Sequence, residues 1–198
     1  MRFYGLTGGI GAGKSTVASM LEKQGIPVLD LDKVGHKLLE EDKTLQKQLV
    51  QAFGDDILVA GIIDRKNLGE IAFSSQVNTH KLNHIMHPAI LEYEQQWRNH
   101  IQENSNTTFA VIEASVLIES GGVERMDGLV VVLAHQAIRQ QRASQRIHYN
   151  SETFAKIIKQ QTNDTTRKQL GNYILENNQD LAHLQQQTHR LCHQLCQV

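Results

Sequence analysis

Residues 8–15, GGIGAGKS, carry the spacing G-x-x-x-x-G-K-[ST], from Gly8 through Gly13 and Lys14 to Ser15. Chemistry explains this spacing. Glycines let consecutive backbone N–H groups turn inward around an anion, and a helix beginning there adds its own unpaired N–H groups and positive dipole end. Lys14 would reach the β- and γ-phosphates of a nucleotide, and the Ser15 hydroxyl would ligate Mg²⁺. Further along stand a carboxylate, Asp32, and three arginines, Arg139, Arg142 and Arg146, spaced three and four apart on one helical face. A carboxylate beside a γ-phosphate can take a proton from an attacking alcohol, and positioned bases contribute about 10²–10⁴ in rate. Arginines that close over the phosphates stabilise the charge-spread transition state of phosphoryl transfer by about 10³–10⁵. Arg142 and Arg146, nearer the break at His148-Tyr149-Asn150, are the selected pair. These residue types point to transfer of a phosphoryl group from a nucleoside triphosphate to an alcohol.

The elements around these residues meet the motif's requirements. Arg2 to Thr7 reads as a strand entering the glycine loop, and Val17, Met20 and Leu21 follow it at helical spacing. Gly25 is a candidate helix stop, and Ile26 to Leu29 is a second short strand ending in Asp30-Leu31-Asp32. Phe109 to Ile112 is a third strand, closed by Glu113; Leu129 to Leu133 is a fourth, a continuous apolar run of the kind buried on both faces; Tyr173 to Leu175 is a fifth. Alternating strands and helices predict a parallel sheet with ligands at the carboxyl ends of its strands. The expected fold is therefore α/β: a P-loop NTPase-type three-layer fold with a parallel five-stranded sheet.

Residues 33–105 read as mostly helical: Val34–Glu41, Leu45–Phe53, Arg65–Phe73, and a long helix from Pro88 to Ile101 with the proline in its first turn. A weak stretch, Leu58 to Ile63, interrupts them at Gly61. The run is too long for a simple crossover and predicts an inserted helical substrate lobe. A lobe of this kind covers the acceptor and excludes water, which would otherwise hydrolyse the donor. A helix over 135–146 and another over 151–167 predict a helical lid at about 139–170, and Leu181, Leu184, Leu191 and Leu195 mark an amphipathic closing helix. One domain is expected, with its core in 1–32, 106–138 and 171–198.

Composition narrows the function classes. The 198 residues include 20 basic and 21 acidic side chains, so no basic field draws the chain to nucleic acid or to an anionic membrane. No apolar run approaches the roughly 18 residues of a membrane span, and no signal peptide is expected ahead of the first strand. The two cysteines, Cys192 and Cys196, build no disulfide framework. A cytoplasmic enzyme, monomeric or a small homo-oligomer, is expected.

Other constellations carry less. His80, His84 and His87 fall on helical spacing, but a zinc site would need a further ligand or an open position, and Pro88 is expected to bend His87 out of line. His189, Cys192, His193 and Cys196 lie on one straight helix, which cannot wrap four ligands around an ion. Asp32-Lys33-Val34-Gly35 imitates the D-x-x-G of GTPases but follows the glycine loop too closely, and Asn177-Asn178-Gln179-Asp180 lacks the lysine of N-K-x-D. A kinase of another nucleoside or nucleotide and a regulatory GTPase stand as the alternative functions.

Over nearly its whole length the chain resembles the dephospho-CoA kinases. The resemblance rests on LTGGIGAGKSTV; on Val28-Leu29-Asp30-Leu31-Asp32; on Gly61 to Leu68; and on His87-Pro88 and Val116-Leu117-Ile118-Glu119. It continues through Arg142-Ala143-Ser144-Gln145-Arg146, Gln161 and Tyr173 to Asn178. It implies transfer of the γ-phosphate of ATP to the ribose 3′-hydroxyl of dephospho-CoA, the last step of coenzyme A synthesis. By position, Gly9, Gly11, Ala12, Gly13, Lys14, Ser15 and Thr16 would hold ATP, with Asn177 near the adenine. Asp32 would be the base and Arg142 or Arg146 the lid cation, while 33–105 would cover the pantetheine-bearing nucleotide. Glu113 could organise Mg²⁺ through water. The chain departs from the family pattern at Glu113-Ala114-Ser115, at Ile147 and at Gly171-Asn172.

Overall fold

The computed structural model describes residues 1–145 and 151–197. Those residues form two compact units, Met1–Asp30 with Ile101–Val198, and Leu31–His100.

The first unit is built on a sheet of five strands: β1 (Arg2–Gly8), β2 (Val28–Asp30), β5 (Phe109–Glu113), β6 (Gly128–Leu133) and β7 (Tyr173–Glu176). Their order is β2-β5-β1-β6-β7, and every pairing is parallel. Such a sheet is covered by helices on its faces, so its inner strands must be apolar throughout. Accordingly Phe109 to Ile112 and Leu129 to Val132 are all buried. The central strand, β1, therefore delivers the glycine loop to the middle of the sheet's carboxyl edge. Registers align Leu6 with Glu113, Asp30 with Glu113, and Gly8 with Val132 along that edge.

After the loop, α1 (Lys14–Glu22) buries Val17, Ala18 and Leu21. These join Tyr4, Phe109 and Val130 in one core with Leu184, Leu191 and Leu195 of the closing helix α9 (Leu181–Gln197). The first helix stops at Gly25, whose φ of 81° suits glycine, and the Ile26 amide donates back to the Leu21 carbonyl at 3.1 Å. Gly171 and Asn172, where the chain departs from its resemblance, have local roles. A Cβ on Gly171 would crowd Ile174 and Val131, and the Asn172 side-chain oxygen accepts the Leu129 amide at 2.7 Å.

In the second unit, α2 (Leu31–Glu41), α3 (Lys43–Phe53), a hairpin of β3 (Leu58–Val59) and β4 (Ile62–Ile63), α4 (Arg65–Ala72) and α5 (Gln76–Asn104, which runs on into the first unit) follow in order. Leu45, Leu49, Ile57, Ile63, Leu68, Ala72 and Met86 form its core. Asp42 and Asp64 cap α3 and α4 through their side-chain oxygens. The stretch read as weak is a tight hairpin, with Ala60 and Gly61 both at positive φ, the conformation a two-residue turn requires.

Four local expectations are overturned. The long helix begins at Gln76, with Pro88 inside it rather than in its first turn. A proline there removes one helical hydrogen bond, but Met86 is buried and Leu82, Ile85, Ala89 and Ile90 pack on the same core, so tertiary burial carries the helix across. His87 accordingly lies within the helix. The expected helix over 151–167 is two, α7 (Ser151–Gln160) and α8 (Asp164–Leu170), because the Asn163 side chain accepts the Thr166 amide and starts a new helix. Leu181 is exposed, off the buried stripe of α9. The second strand is Val28–Asp30 rather than Ile26–Leu29, since Ile26 closes the end of α1. Between β6 and α7 lies α6 (Gln136–Ser144). Among the described residues no helix is long and apolar enough to cross a membrane.

Candidate active site

The glycine loop is held from three sides. Gly11 and Gly13 have φ of 76° and 104°, left-handed values that turn the backbone around a hollow. The Ala12 amide closes a turn on the Gly9 carbonyl at 3.0 Å, and the Thr16 and Val17 amides both return to the Gly13 carbonyl at 3.1 Å. Lys14 is buried, and its ammonium donates to the Gly8 carbonyl at 3.0 Å, so its charge is kept within the loop. Ser15 opens α1, where its hydroxyl donates to Glu113 Oε1 at 3.1 Å. Glu113 ends β5 and is buried. A hydroxyl beside a carboxylate is a hard oxygen pair of the kind Mg²⁺ takes, so this donor set fits the ion.

Asn177, just past β7, braces the loop from behind. Its amide nitrogen donates to the Ala12 carbonyl at 2.8 Å, and a Cβ on Gly13 would overlap that same nitrogen. The Asn177 carbonyl in turn accepts from Arg142 Nη1 at 3.1 Å. Arg142 is thus tied to the strand end behind the loop. Arg146 lies outside the described residues. Of the two arginines of this face among the described residues, Arg139 is the one that lies against Gly9 and Gly11. A Cβ on Gly9 would overlap its guanidinium, and a Cβ on Gly11 would overlap its backbone carbonyl.

Arg139 is buried and donates to Asp164 Oδ2 at 3.0 Å. The other oxygen of Asp164 accepts from Arg167 Nη1 at 3.0 Å. Burial pushes the Arg139 guanidinium below its ordinary range; neighbouring Asp164 opposes that shift and Arg167 adds to it. From the other side, the Gln161 side chain accepts the Ile10 amide at 3.0 Å. Spacing alone does not single out Arg139 from Arg142 and Arg146, and Asp164 and Arg167 belong to no motif visible in the sequence. The available signal was Asn163-Asp164, a helix-start pair within an otherwise helical run.

Asp32 lies in the first turn of α2, two residues beyond the end of β2, and belongs to the second unit. Within that unit a cleft of about 1030 Å³ opens between α3 and α5, lined in part by Gln48, Gln51, His80, Lys81 and His84. Among the described residues, no group of three or more His, Cys, Asp or Glu side chains is placed to hold a metal. On α9, His193 and His189 contact each other at 3.2 Å, and His189 also meets Gln24. Cys192 is buried, and burial together with Cys196 pushes its thiol up to about 11.

A glycine loop at the centre of a parallel sheet, an oxygen pair beside it and a buried arginine against it are a combination that suits phosphoryl transfer. The sequence profile of the dephospho-CoA kinase family matches residues 2–183. A protein of Fusobacterium nucleatum named dephospho-CoA kinase is 34% identical over 189 residues, which cover 95% of each chain. A crystal structure of a Thermus thermophilus protein, 26% identical, superposes with a TM-score of 0.86 over 98% of this chain and 97% of that one. The dephospho-CoA kinase of Campylobacter jejuni, 23% identical, shares the fold with a TM-score of 0.71 over 98% and 97% of the two chains. With the match running from the first strand into the closing helix, the chain belongs to the dephospho-CoA kinase family.

Proposed function

We infer that this protein transfers the γ-phosphoryl group of ATP to the ribose 3′-hydroxyl of dephospho-CoA, giving coenzyme A and ADP as the final step of coenzyme A biosynthesis. The observation that carries this reading is the phosphate loop of residues 8–15, braced by Asn177 and Arg139 in a chain whose family is known. Backbone amides of Gly9, Gly11, Ala12, Gly13, Ser15 and Thr16 cradle the ATP phosphates, with Asn177 on the adenine side of the loop. Lys14 exchanges its bond to the Gly8 carbonyl for the β- and γ-phosphates. Ser15 holds Mg²⁺, with Glu113 acting through water, and that ion neutralises phosphate charge. Asp32 takes the proton of the 3′-hydroxyl as the oxygen attacks phosphorus. Arg142 and Arg146 serve as lid cations, joined by Arg139 at the loop itself.

The helical unit that follows β2 supplies the lobe covering the pantetheine-bearing nucleotide, and residues 139–170 supply the lid. The enzyme works in the cytoplasm as a monomer or small homo-oligomer, without nucleic acid or membrane partners. Incubation with ATP-Mg²⁺ and a panel of alcohol acceptors tests the reaction. Rapid ADP release with dephospho-CoA alone is expected. Release of phosphate from GTP without any acceptor would overturn the reading in favour of a GTPase, and preference for another nucleoside would move the protein to a neighbouring kinase class.

A further inference from the structure

A network of four charged side chains, Arg139, Asp164, Arg167 and Glu119, adjoins the glycine loop, and the proposed reaction uses only Arg139. Arg139 on α6 and Arg167 on α8 are both buried, at 6% and 2% exposure. Both guanidinium groups converge on Gly9: a Cβ there would overlap Arg139 Nη1 and stand 3.3 Å from Arg167 Nη1. Two buried cations side by side repel, and one carboxylate joins them. Asp164 gives Oδ2 to Arg139 and Oδ1 to Arg167, each at 3.0 Å. Glu119 backs Arg167 at 3.7 Å and accepts the Thr162 amide at 2.5 Å. With Gln161 on the Ile10 amide, residues 161–164 touch the glycine loop, Glu119 and both arginines.

Each arginine also has one buried donor outside the hydrogen bonds to Asp164. Arg167 Nη2 faces Glu119 at 3.7 Å, and among the described residues neither it nor the buried Arg139 Nε makes a hydrogen bond. A buried donor without a hydrogen bond is costly, and Arg139 Nε belongs to the guanidinium that lies against Gly9 of the phosphate loop. We propose that Asp164 is a positioning residue for phosphoryl transfer: bridging Arg139 and Arg167, it fixes the Arg139 guanidinium against the loop where the nucleotide's polyphosphate binds, with Glu119 anchoring Arg167 from behind. Asp164 acts through Arg139 and touches neither substrate. The charge balance supports this role, since two carboxylates against two guanidinium groups leave the bridge neutral and Lys14 as the loop's own cation.

This inference rests on the reaction proposed above, and the experiment separates the two. Steady-state kinetics are measured on the full chain for wild type, Asp164→Asn, Glu119→Gln, Arg139→Ala and the Asp164→Asn/Arg139→Ala double variant, well below their melting temperatures. Misplacing a charge by about 1 Å costs about 10²-fold in rate, so Asp164→Asn is expected to lower kcat by about 10- to 100-fold. KM for dephospho-CoA should stay within about twofold, because the acceptor gains nothing from this bridge. In the Arg139→Ala background Asp164→Asn should have no further effect on kcat, since the group it positions is gone. Asp164→Glu should recover part of the loss. Should Asp164→Asn fail to fold, Glu119→Gln carries the test, with a smaller fall in kcat that likewise disappears in the Arg139→Ala background. Multiplicative losses in the double variant, or a lowered melting temperature with wild-type kcat, overturn the positioning role. A wild-type protein that does not phosphorylate dephospho-CoA overturns the reaction instead.

Discussion

Replacing Gly11 by alanine separates two demands that fall on one residue. At φ of 76° an alanine pays the left-handed penalty, about 1–2 kcal/mol. The new methyl group would also overlap the backbone carbonyl of Arg139, and neither the loop nor the first turn of α6 can yield by rotating a side chain. Forced overpacking of this kind costs about 1–3 kcal/mol. Gly25 supplies the control. Its φ is 81°, nearly the same strain, but no atom lies within 4 Å of the position its Cβ would occupy. Gly25→Ala therefore carries the conformational penalty alone, and the difference between the two variants is the contact term. For a chain of 150–250 residues each kcal/mol moves the melting temperature by about 2–4 °C. Gly11→Ala is thus expected to melt about 2–12 °C below Gly25→Ala, by calorimetry or circular dichroism. Its affinity for a fluorescent ATP analogue should fall as well, while Gly25→Ala binds as wild type does. Coincident melting curves would show that α6 does not rest on the loop, and the placement of Arg139 against it would fail with them.

Asp32→Asn should keep nucleotide binding and lose about 10²-fold or more in kcat; turnover at the wild-type rate would remove Asp32 from the role of base. Ser15→Ala should raise the Mg²⁺ concentration needed for half-maximal rate, read from a metal titration, and an unchanged titration would detach Ser15 and its Glu113 partner from the ion. Cys192, with its thiol raised to about 11, is almost wholly protonated at pH 8, so in the native protein it should react only slowly with iodoacetamide at that pH. The thiolate fraction grows as pH rises towards that value, so native-state alkylation at Cys192 should accelerate between pH 8 and pH 10. Mass spectrometry after a short pulse at pH 8 should find label on the exposed Cys196 instead, and equal labelling of both would contradict the burial.

What could be read from the residues was what local chemistry dictates. The run Leu129 to Leu133 has no polar position, and only a strand covered on both faces tolerates that, so its place inside the sheet followed directly. The glycine loop was legible because its function resides in backbone amides whose geometry the glycines themselves permit. Pro88 misled because the local rule against interior proline competes with packing that only the folded chain displays: Met86 and its neighbours bury on the same core. Splitting 151–167 at Asn163 was hidden for the opposite reason, since Thr165, Thr166 and Arg167 continue a helical run and one side-chain cap decides where it restarts.

The arginines mark the boundary between the two kinds of inference. Spacing of three and four places Arg139, Arg142 and Arg146 on one face, and nothing local says which of them reaches the phosphates. Nearness to the break at His148-Tyr149-Asn150 favours the later two; of the two arginines that lie among the described residues, Arg142 donates to the Asn177 carbonyl and Arg139 lies against the loop. The deciding feature is an absence of atoms some 130 residues away: Gly9 lacks the Cβ that would occupy the place of the Arg139 guanidinium. Gly9, the residue after the motif's first glycine, thus leaves space for a cation. Gly9→Ala should leave the loop's backbone intact and push Arg139 off it. Nucleotide would then bind with its affinity little changed while kcat falls as in Arg139→Ala. A Gly9→Ala variant with full turnover would mean that the guanidinium can act from elsewhere, and that the packing of arginine on glycine is incidental to the chemistry.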